Sequence, residues 1–516
     1  MLTKNMKAAY KFLTFIGAGL MLAGMTGCSA DFLDREPTGS LTPEQIERSQ
    51  WNSNVMLGMS NATTRIAISL SSSSQDDFGQ KAIDIVSDML SGDAAMRQNM
   101  YGWFRTDLLL DSYHSTSSRS LQFWNYNYSI IYEANGVISS SSGGTGEEPE
   151  DPEFKYYYAV GKTMRAYSYF NLVTLFGKNW SEGADDKVCP FVTYQSEDGV
   201  PVPGSTVDQV YDSIIVDLED AITAFDNATA AGVRASGLSN PDVDVARMIL
   251  AAALLQRGNV EADDYVRAKE LALAVVNGSG CSVLPYNQLT TTGFNTVNPS
   301  NWLWGFDITT SNTTGLASFW GFMDIFTYGY ADVGDIHGIN SHLYDAIPAT
   351  DGRKAWFLSP EDAETVGLGV GYAYAPWQKF YDPAYSLGGD RSWTNDLVFM
   401  RYEEAVLVAA EAAARSNDLN TSRQMLKLLL DQRDPAKSAT VDAMDQNQLL
   451  DELFFEWRVE LWGEGRSLLT MKRFKRNIQR SEASLYYPNV AVNYDDERLY
   501  FETPRSVIQN NPDFRN

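Results

Sequence analysis

Apolar side chains return every third or fourth position through two long stretches of this 516-residue chain, and that period commits most of it to amphipathic helix. Trp124, Tyr128, Ile131 and Asn135 are spaced four, three and four apart, on one helix face. Val160, Met164, Tyr167, Phe170 and Val173 make a second stripe, closed by Gly177, and a run of Ser, Gly, Glu and Pro over 139–152 separates the two. Thr206 and Gln209 form a capping box ahead of Val207, Val210, Ile214, Leu218 and Ala221. Thr42 and Gln45, with Pro43 between them, form another and mark an earlier helix start. The pattern continues over 246–255, 265–276, 402–414, 421–430 and 449–462. Helices of this length joined by short turns predict a mostly α fold of tetratricopeptide-like hairpins, although no clean repeat of about 34 residues stands out.

The helical scaffold therefore covers about 40–280 and 396–480, and between them the period is lost. Gly, Thr, Asn, Tyr and Trp dominate this interval, which must be held by the helices on either side. Ordered loops longer than about 12–15 residues usually carry function. Nine aromatic residues stand between Asn301 and Tyr330, in a chain that is 12% aromatic overall. Tyr101, Trp103, Phe104 and Tyr113 form a second group, and Tyr372, Tyr374, Trp377, Tyr381 and Tyr385 a third. Flat aromatic faces suit the C–H faces of sugar rings, with nearby amides, carboxylates and guanidinium groups bonding hydroxyls. The competing explanation is that the same rings plug the loops onto the helices.

The N-terminus restricts location. Lys4, Lys7 and Lys11 precede an apolar run from Phe12 to Leu22, and Leu22-Ala23-Gly24-Met25-Thr26-Gly27-Cys28 follows. This is a lipoprotein signal over 1–27, too short to span a bilayer, and it predicts cleavage before Cys28 and acylation of its thiol. One acyl chain, at about 0.8 kcal/mol per buried methylene, binds a membrane marginally, whereas two or three anchor it stably. Ser29 at the next position favours the outer membrane, and Asp31 and Asp34 resemble the acidic stretch that directs such lipoproteins to the cell surface.

The 40 Lys and Arg against 66 Asp and Glu give a net charge of −26, which disfavours nucleic acid and anionic lipid. Past Cys28 only Cys189 and Cys281 remain, isolated thiols or at most one disulfide, and no metal cluster. A catalytic constellation is hard to find. His114, His337 and His342 lack metal-ligand spacing, and no serine elbow or zinc-helix motif is present. Gly161-Lys162-Thr163 ends like a phosphate loop but has Tyr156 where the first Gly belongs and reads as mid-helix. Gly367, Gly369 and Gly371 read as a turn. Acid pairs such as Asp76 with Asp77 and Glu403 with Glu404 are expected by chance, and a glycosidase pair needs only to meet in space at roughly 5–9.5 Å. Glu456, Glu460 and Glu464, with Arg458 and Arg466 close by, predict a structural ion-pair network at a helix end broken by Gly463 and Gly465.

At that helix the chain resembles the SusD/RagB family of surface nutrient-binding lipoproteins. Phe32-Leu33-Asp34 with Pro37 resembles the family's mature start, and Trp124, Tyr128, Ile131 and Ala134-Asn135 its early helix. Gly161 through Arg165-Ala166, Tyr169-Phe170, Leu172 and Phe176-Gly177 are similar to its most regular motif. Val207, Tyr211, Ile214 and Asp217-Leu218, then Arg401, Glu404, Leu407 and Ala410-Glu411-Ala412, and finally Glu456 to Arg466 and the ending Pro504 with Asn511-Pro512 complete the likeness.

The resemblance implies one domain over 28–516 with four tetratricopeptide-like units and a loop-rich face, sitting as a lid on a SusC-like TonB-dependent outer-membrane transporter. It implies binding and delivery of oligosaccharides, with no catalysis and no cofactor, a structural Ca²⁺ being left open. The shared motifs are scaffold motifs, and by position the ligand face lies before the Trp124 helix and around Trp320. Tyr101, Trp103, Trp320, Tyr328, Tyr330 and Trp377 are then the candidate stacking platforms, and Arg97 and Asn99 the candidate hydroxyl partners. The alternatives are a peptide-binding member of the family, a helical glycoside hydrolase with a carboxylate pair, and a pure assembly module.

Overall fold

Capping side chains set where the helices begin. Asp151 accepts hydrogen bonds from the N–H groups of Glu153 and Phe154 ahead of Pro152, and Thr206 with Gln209 and Asp445 with Gln448 form complete capping boxes. The computed structural model describes residues 43–514, apart from 69–73, 197–198, 259–260, 390 and 392. The signal 1–27, Cys28, the motif at Phe32 to Pro37 and the Thr42 cap lie outside the described residues.

The longer helices are α1 (Pro43–Ile68), α2 (Gln80–Ser91), α3 (Ser118–Ser141), α4 (Pro152–Phe176), α5 (Val207–Ala230), α6 (Val243–Arg257), α7 (Ala262–Gly278), α8 (Tyr402–Arg415), α9 (Leu419–Leu430), α10 (Gln446–Glu460) and α11 (Ser467–Phe474). From α3 to α9 each packs on the next, and α10 packs on α8 and α11, which is a stack of hairpins. Gly161 brings α4 close to α3, since a Cβ there would lie 2.9 Å from Ile138. It is a packing glycine and not part of a phosphate loop. Residues Asn54–Asn516 cluster as one unit.

The interval 280–395 is not all loop. It contains short helices such as Phe319–Met323, Tyr330–Val333, Ser341–Ala346 and Pro360–Thr365. Two antiparallel strand pairs fasten it: Ala94–Met96 with His337–Ile339, and Trp302–Phe306 with Leu397–Arg401. Gly367 and Gly369 sit at φ 81° and 80° in a turn, the left-handed region that glycine enters without strain.

Through Arg353 and Lys379, a buried ion-pair network ties this region to the scaffold. Arg353 bonds Asp351 at 2.6 Å and Glu456 at 2.7 Å, Arg433 bonds Glu460 at 2.8 Å, and Arg401 and Lys379 reach Glu464 at 2.8 and 2.9 Å. Each of these side chains is buried. The Glu456, Glu460 and Glu464 stripe thus forms an ion-pair network, but not with its neighbours in sequence: Arg458 pairs with Asp93 and Arg466 with Glu404. Cys189 is buried and Cys281 half-buried, and they are separate thiols. Among the described residues no helix is long and apolar enough to cross a membrane.

Candidate functional site

The strand Ala94–Met96 runs out into a turn whose backbone stays paired to the opposite chain. Arg97 N–H donates to Ile336 O, Ile336 N–H to Gln98 O, and Met100 N–H to Gly334 O. Two short side chains then fix the turn's shape. Asn99 Oδ1 accepts from Gly102 N–H at 2.7 Å, while its Nδ2 donates to Trp103 O at 3.1 Å and to the Tyr486 hydroxyl at 3.3 Å. Buried Asp335 accepts from Tyr101 N–H at 2.8 Å, and burial raises its carboxyl against the pull of the Tyr101, Trp103 and Met100 N–H groups.

This turn presents Tyr101 with 55% of its surface exposed. Its ring meets Tyr330 edge to face at 5.4 Å, and Trp103, half-buried, meets the same ring at 5.7 Å. Tyr330 stacks on Phe322 at 4.7 Å, and Phe322 on Phe78 at 5.5 Å, so the exposed ring stands on an aromatic column rooted in the core. Such pairs add roughly 0.5–1.5 kcal/mol each and leave the platform few rotors.

A chain of contacts continues along the loops. The Arg97 guanidinium lies 5.5 Å from the Tyr374 ring, and Tyr374 meets Tyr344 at 5.3 Å. Tyr344, Lys354, Trp377 and Gln378 line a cleft of about 320 Å³. Lys354 lies 4.8 Å from the Tyr344 ring and donates to Ile347 O. Trp377 is half-buried against Phe326 and Tyr385.

The structure thus joins Arg97, Asn99, Tyr101, Trp103 and Tyr330 and sets Trp377 in a neighbouring cleft. Tyr328 stands apart, covered by the Arg391 guanidinium at 3.8 Å. Trp320 is a correction. It is 2% exposed, its indole N–H donates to Asp396 O at 3.2 Å, and its ring meets Phe319 and Phe380, so it plugs the loops onto the scaffold and offers no face to a ligand. Tyr330, at 9% exposure, supports the platform from behind.

The sequence reading missed the segment that completes the turn. Leu485 N–H donates to Met96 O, Arg97 donates to Ala483 O, and Met100, Leu485 and Tyr487 are exposed. Only the Tyr486-Tyr487 pair hinted at it, more than 380 positions from its partners.

Three of the acids that stand in adjacent pairs are held by arginines. Asp76 is bound to Arg119 at 2.6 Å, Glu403 to Arg433 at 2.9 Å and Glu404 to Arg466 at 2.7 Å. His337 is buried between Phe104 and Phe322, and burial pushes it down to about 3, so it stays neutral. His114 and His342 pair at the surface with Asp111 and Glu482. Among the described residues no three His, Cys, Asp or Glu side chains converge as a metal site.

Two family models match. The SusD-like model described as starch-binding and associating with the outer membrane matches residues 31–235, and the SusD/RagB model, described as the SusD family, matches residues 345–515. The chain belongs to the SusD/RagB family. No curated protein matches it. Among solved structures, a SusD superfamily protein from Bacteroides thetaiotaomicron superposes with TM-score 0.72 at 19% identity, covering 89% of this chain and 98% of that one. A SusD-like carbohydrate binding protein from Bacteroides vulgatus gives TM-score 0.72 at 18%, covering 90% and 97%. Surface glycan-binding protein A from Bacteroides thetaiotaomicron, in complex with laminarihexaose, gives TM-score 0.62 at 15%, covering 89% and 97%. At these identities the likeness is one of fold: mostly helical and tetratricopeptide-like.

Proposed function

We propose that the protein captures oligosaccharides on the Tyr101 turn without chemical turnover. The observation that carries this reading is the exposed Tyr101 ring braced on Tyr330 and presented by the turn that Asn99 shapes. The family model's description as starch-binding, and the laminarihexaose held by a neighbour of the same fold, support the ligand class. Tyr101 and Trp103 are the stacking platform. Trp377, with Gln378 in the adjacent cleft, extends it toward a ligand of several units.

In this reading the mature chain is one domain over 28–516, held at the outer membrane by acyl chains on Cys28 and facing the cell exterior. It hands its ligand to a SusC-like TonB-dependent transporter. An open aromatic surface excludes little water, which implies affinity on the order of micromolar to millimolar. Docking on the transporter raises the effective concentration of ligand at the pore.

Affinity electrophoresis of the protein from Ser29 to Asn516 against plant, host and microbial polysaccharides tests the reading. Retardation by one glycan class, weakened in Tyr101→Ala, is the expected result. Binding of peptides with no retardation by any glycan would overturn it.

A further inference from the structure

We propose a second carbohydrate site, in the groove between α1, α3 and the segment 192–196. It shares no residue with the Tyr101 turn. The groove has a volume of about 520 Å³, inside the roughly 300–1,000 Å³ range of small-ligand pockets. Its floor is rigid. The Tyr128 hydroxyl donates to Pro190 O at 2.7 Å, and Asn135 donates to Val192 O at 3.1 Å while accepting from Arg165 at 2.8 Å.

Gly136 is the informative residue in this groove. Glycine in a helix interior is unfavourable relative to alanine and needs a reason. Gly58 and Gly161 have one, because a Cβ at either would press on the neighbouring helix, at 2.8 Å from Val137 and 2.9 Å from Ile138. A Cβ on Gly136 would meet nothing within 4 Å, and the residue is exposed along the groove. The reason left is close approach of something to the bare backbone of α3. One turn earlier stands Tyr132, 74% exposed, and one turn later Ser139 and Ser140. An aromatic face, a gap and two hydroxyls follow one another along a single helix face.

The charge balance selects the ligand. Charged residues make up 21% of the chain, yet among the described residues Glu133 is the one charged side chain lining the groove, and Arg65 and Asn61 already bind it. The remaining polar groups are amides and hydroxyls, including Asn54, Asn61 and Thr193. A neutral, hydroxyl-rich ring with an apolar face fits this lining, and charged peptides or nucleic acid do not. The sugar class rests on the function proposed above, whereas the location rests on Gly136 and Tyr132 alone.

Calorimetry of the protein from Ser29 to Asn516 with laminarihexaose, maltohexaose and hexasaccharides of mannose, xylose and galactose tests it. Two binding components are expected. Tyr132→Ala and Gly136→Leu should each weaken one at least tenfold, with no loss of melting temperature, and leave intact the component lost in Tyr101→Ala. One component, abolished by Tyr101→Ala and untouched by Tyr132→Ala and Gly136→Leu, overturns the groove and leaves the turn standing. Loss in Tyr132→Ala with no effect of Tyr101→Ala overturns the turn and supports the groove. No binding of any of these hexasaccharides overturns both.

Discussion

The rings of Tyr101 and Tyr330 meet edge to face, centroids 5.4 Å apart and planes at 71°, one ring open to solvent and the other almost closed from it. The pair divides two jobs between neighbours. Tyr101 offers the face, and Tyr330, stacked on Phe322, fixes where that face points.

That division separates binding from stability in variants. Tyr101→Ala is expected to remove the turn's share of glycan retardation while costing only about 0.5–1.5 kcal/mol, the worth of its edge-to-face contact with Tyr330. Trp320→Ala instead opens a buried cavity and is expected to cost about 3–5 kcal/mol. Thermal melts beside affinity gels check both.

Arg353 holds the loop region to α10 from a fully buried position. Arg353→Ala leaves Asp351 and Glu456 uncompensated in the interior, and an expected loss of about 3–5 kcal/mol follows. Urea titration should show the lower midpoint, and limited proteolysis should cut first within 280–395.

The helices and the glutamate stripe were legible because each has a period: apolar residues at three and four, and Glu456, Glu460 and Glu464 one turn apart. The stripe's partners Arg353, Lys379, Arg401 and Arg433 were not, since they come from other segments of the chain. The Thr206 and Gln209 cap set its helix start within the sequence itself. The site had no such period. Trp320 and Tyr101 are both aromatic residues in irregular chain, and what separates them is Asp396 O bonded to one and Asp335 shaping the turn of the other. Those partners are distant in sequence, as are Leu485 and Tyr486, so composition gathered the right residue types without ranking them. Gly136 was invisible for a similar reason, since only the folded chain shows that no side chain fills its space.

Stability should respond to pH in two opposite limbs. Burial alone would raise Glu464, but Arg401 and Lys379 outweigh it and hold the carboxyl at about 2. Its contribution is therefore present above the unfolded value of 4.5 and lost as pH falls toward 2. Asp88 behaves oppositely: burial, with Asp93 and Asp84 nearby, pushes it up to about 7 despite the N–H groups of Ser467 and Gly465. Folding then favours its protonated form, so stability declines as pH rises from 3.8 to about 7. Glu464→Gln should flatten the acid limb and Asp88→Asn the limb toward neutrality, read from urea midpoints across pH 2–8. Each pH unit that separates a folded from an unfolded pKa is worth about 1.4 kcal/mol.

Glycine substitutions on two adjacent helices should move stability in opposite directions. Alanine is favoured over glycine in a helix by about 1 kcal/mol. At Gly136 nothing lies within 4 Å of the new methyl, so Gly136→Ala is expected to gain up to about that amount and raise the melting temperature. At Gly161 the same methyl meets Ile138 at 2.9 Å, Val137 at 3.1 Å and Ala134 O at 3.2 Å. Overpacking costs about 1–3 kcal/mol, which outweighs the helical gain, so Gly161→Ala is expected to be destabilised. If Gly136→Ala melted lower than the parent, the space above α3 would not be the open groove described, and the case for a ligand resting on its backbone would fall with it.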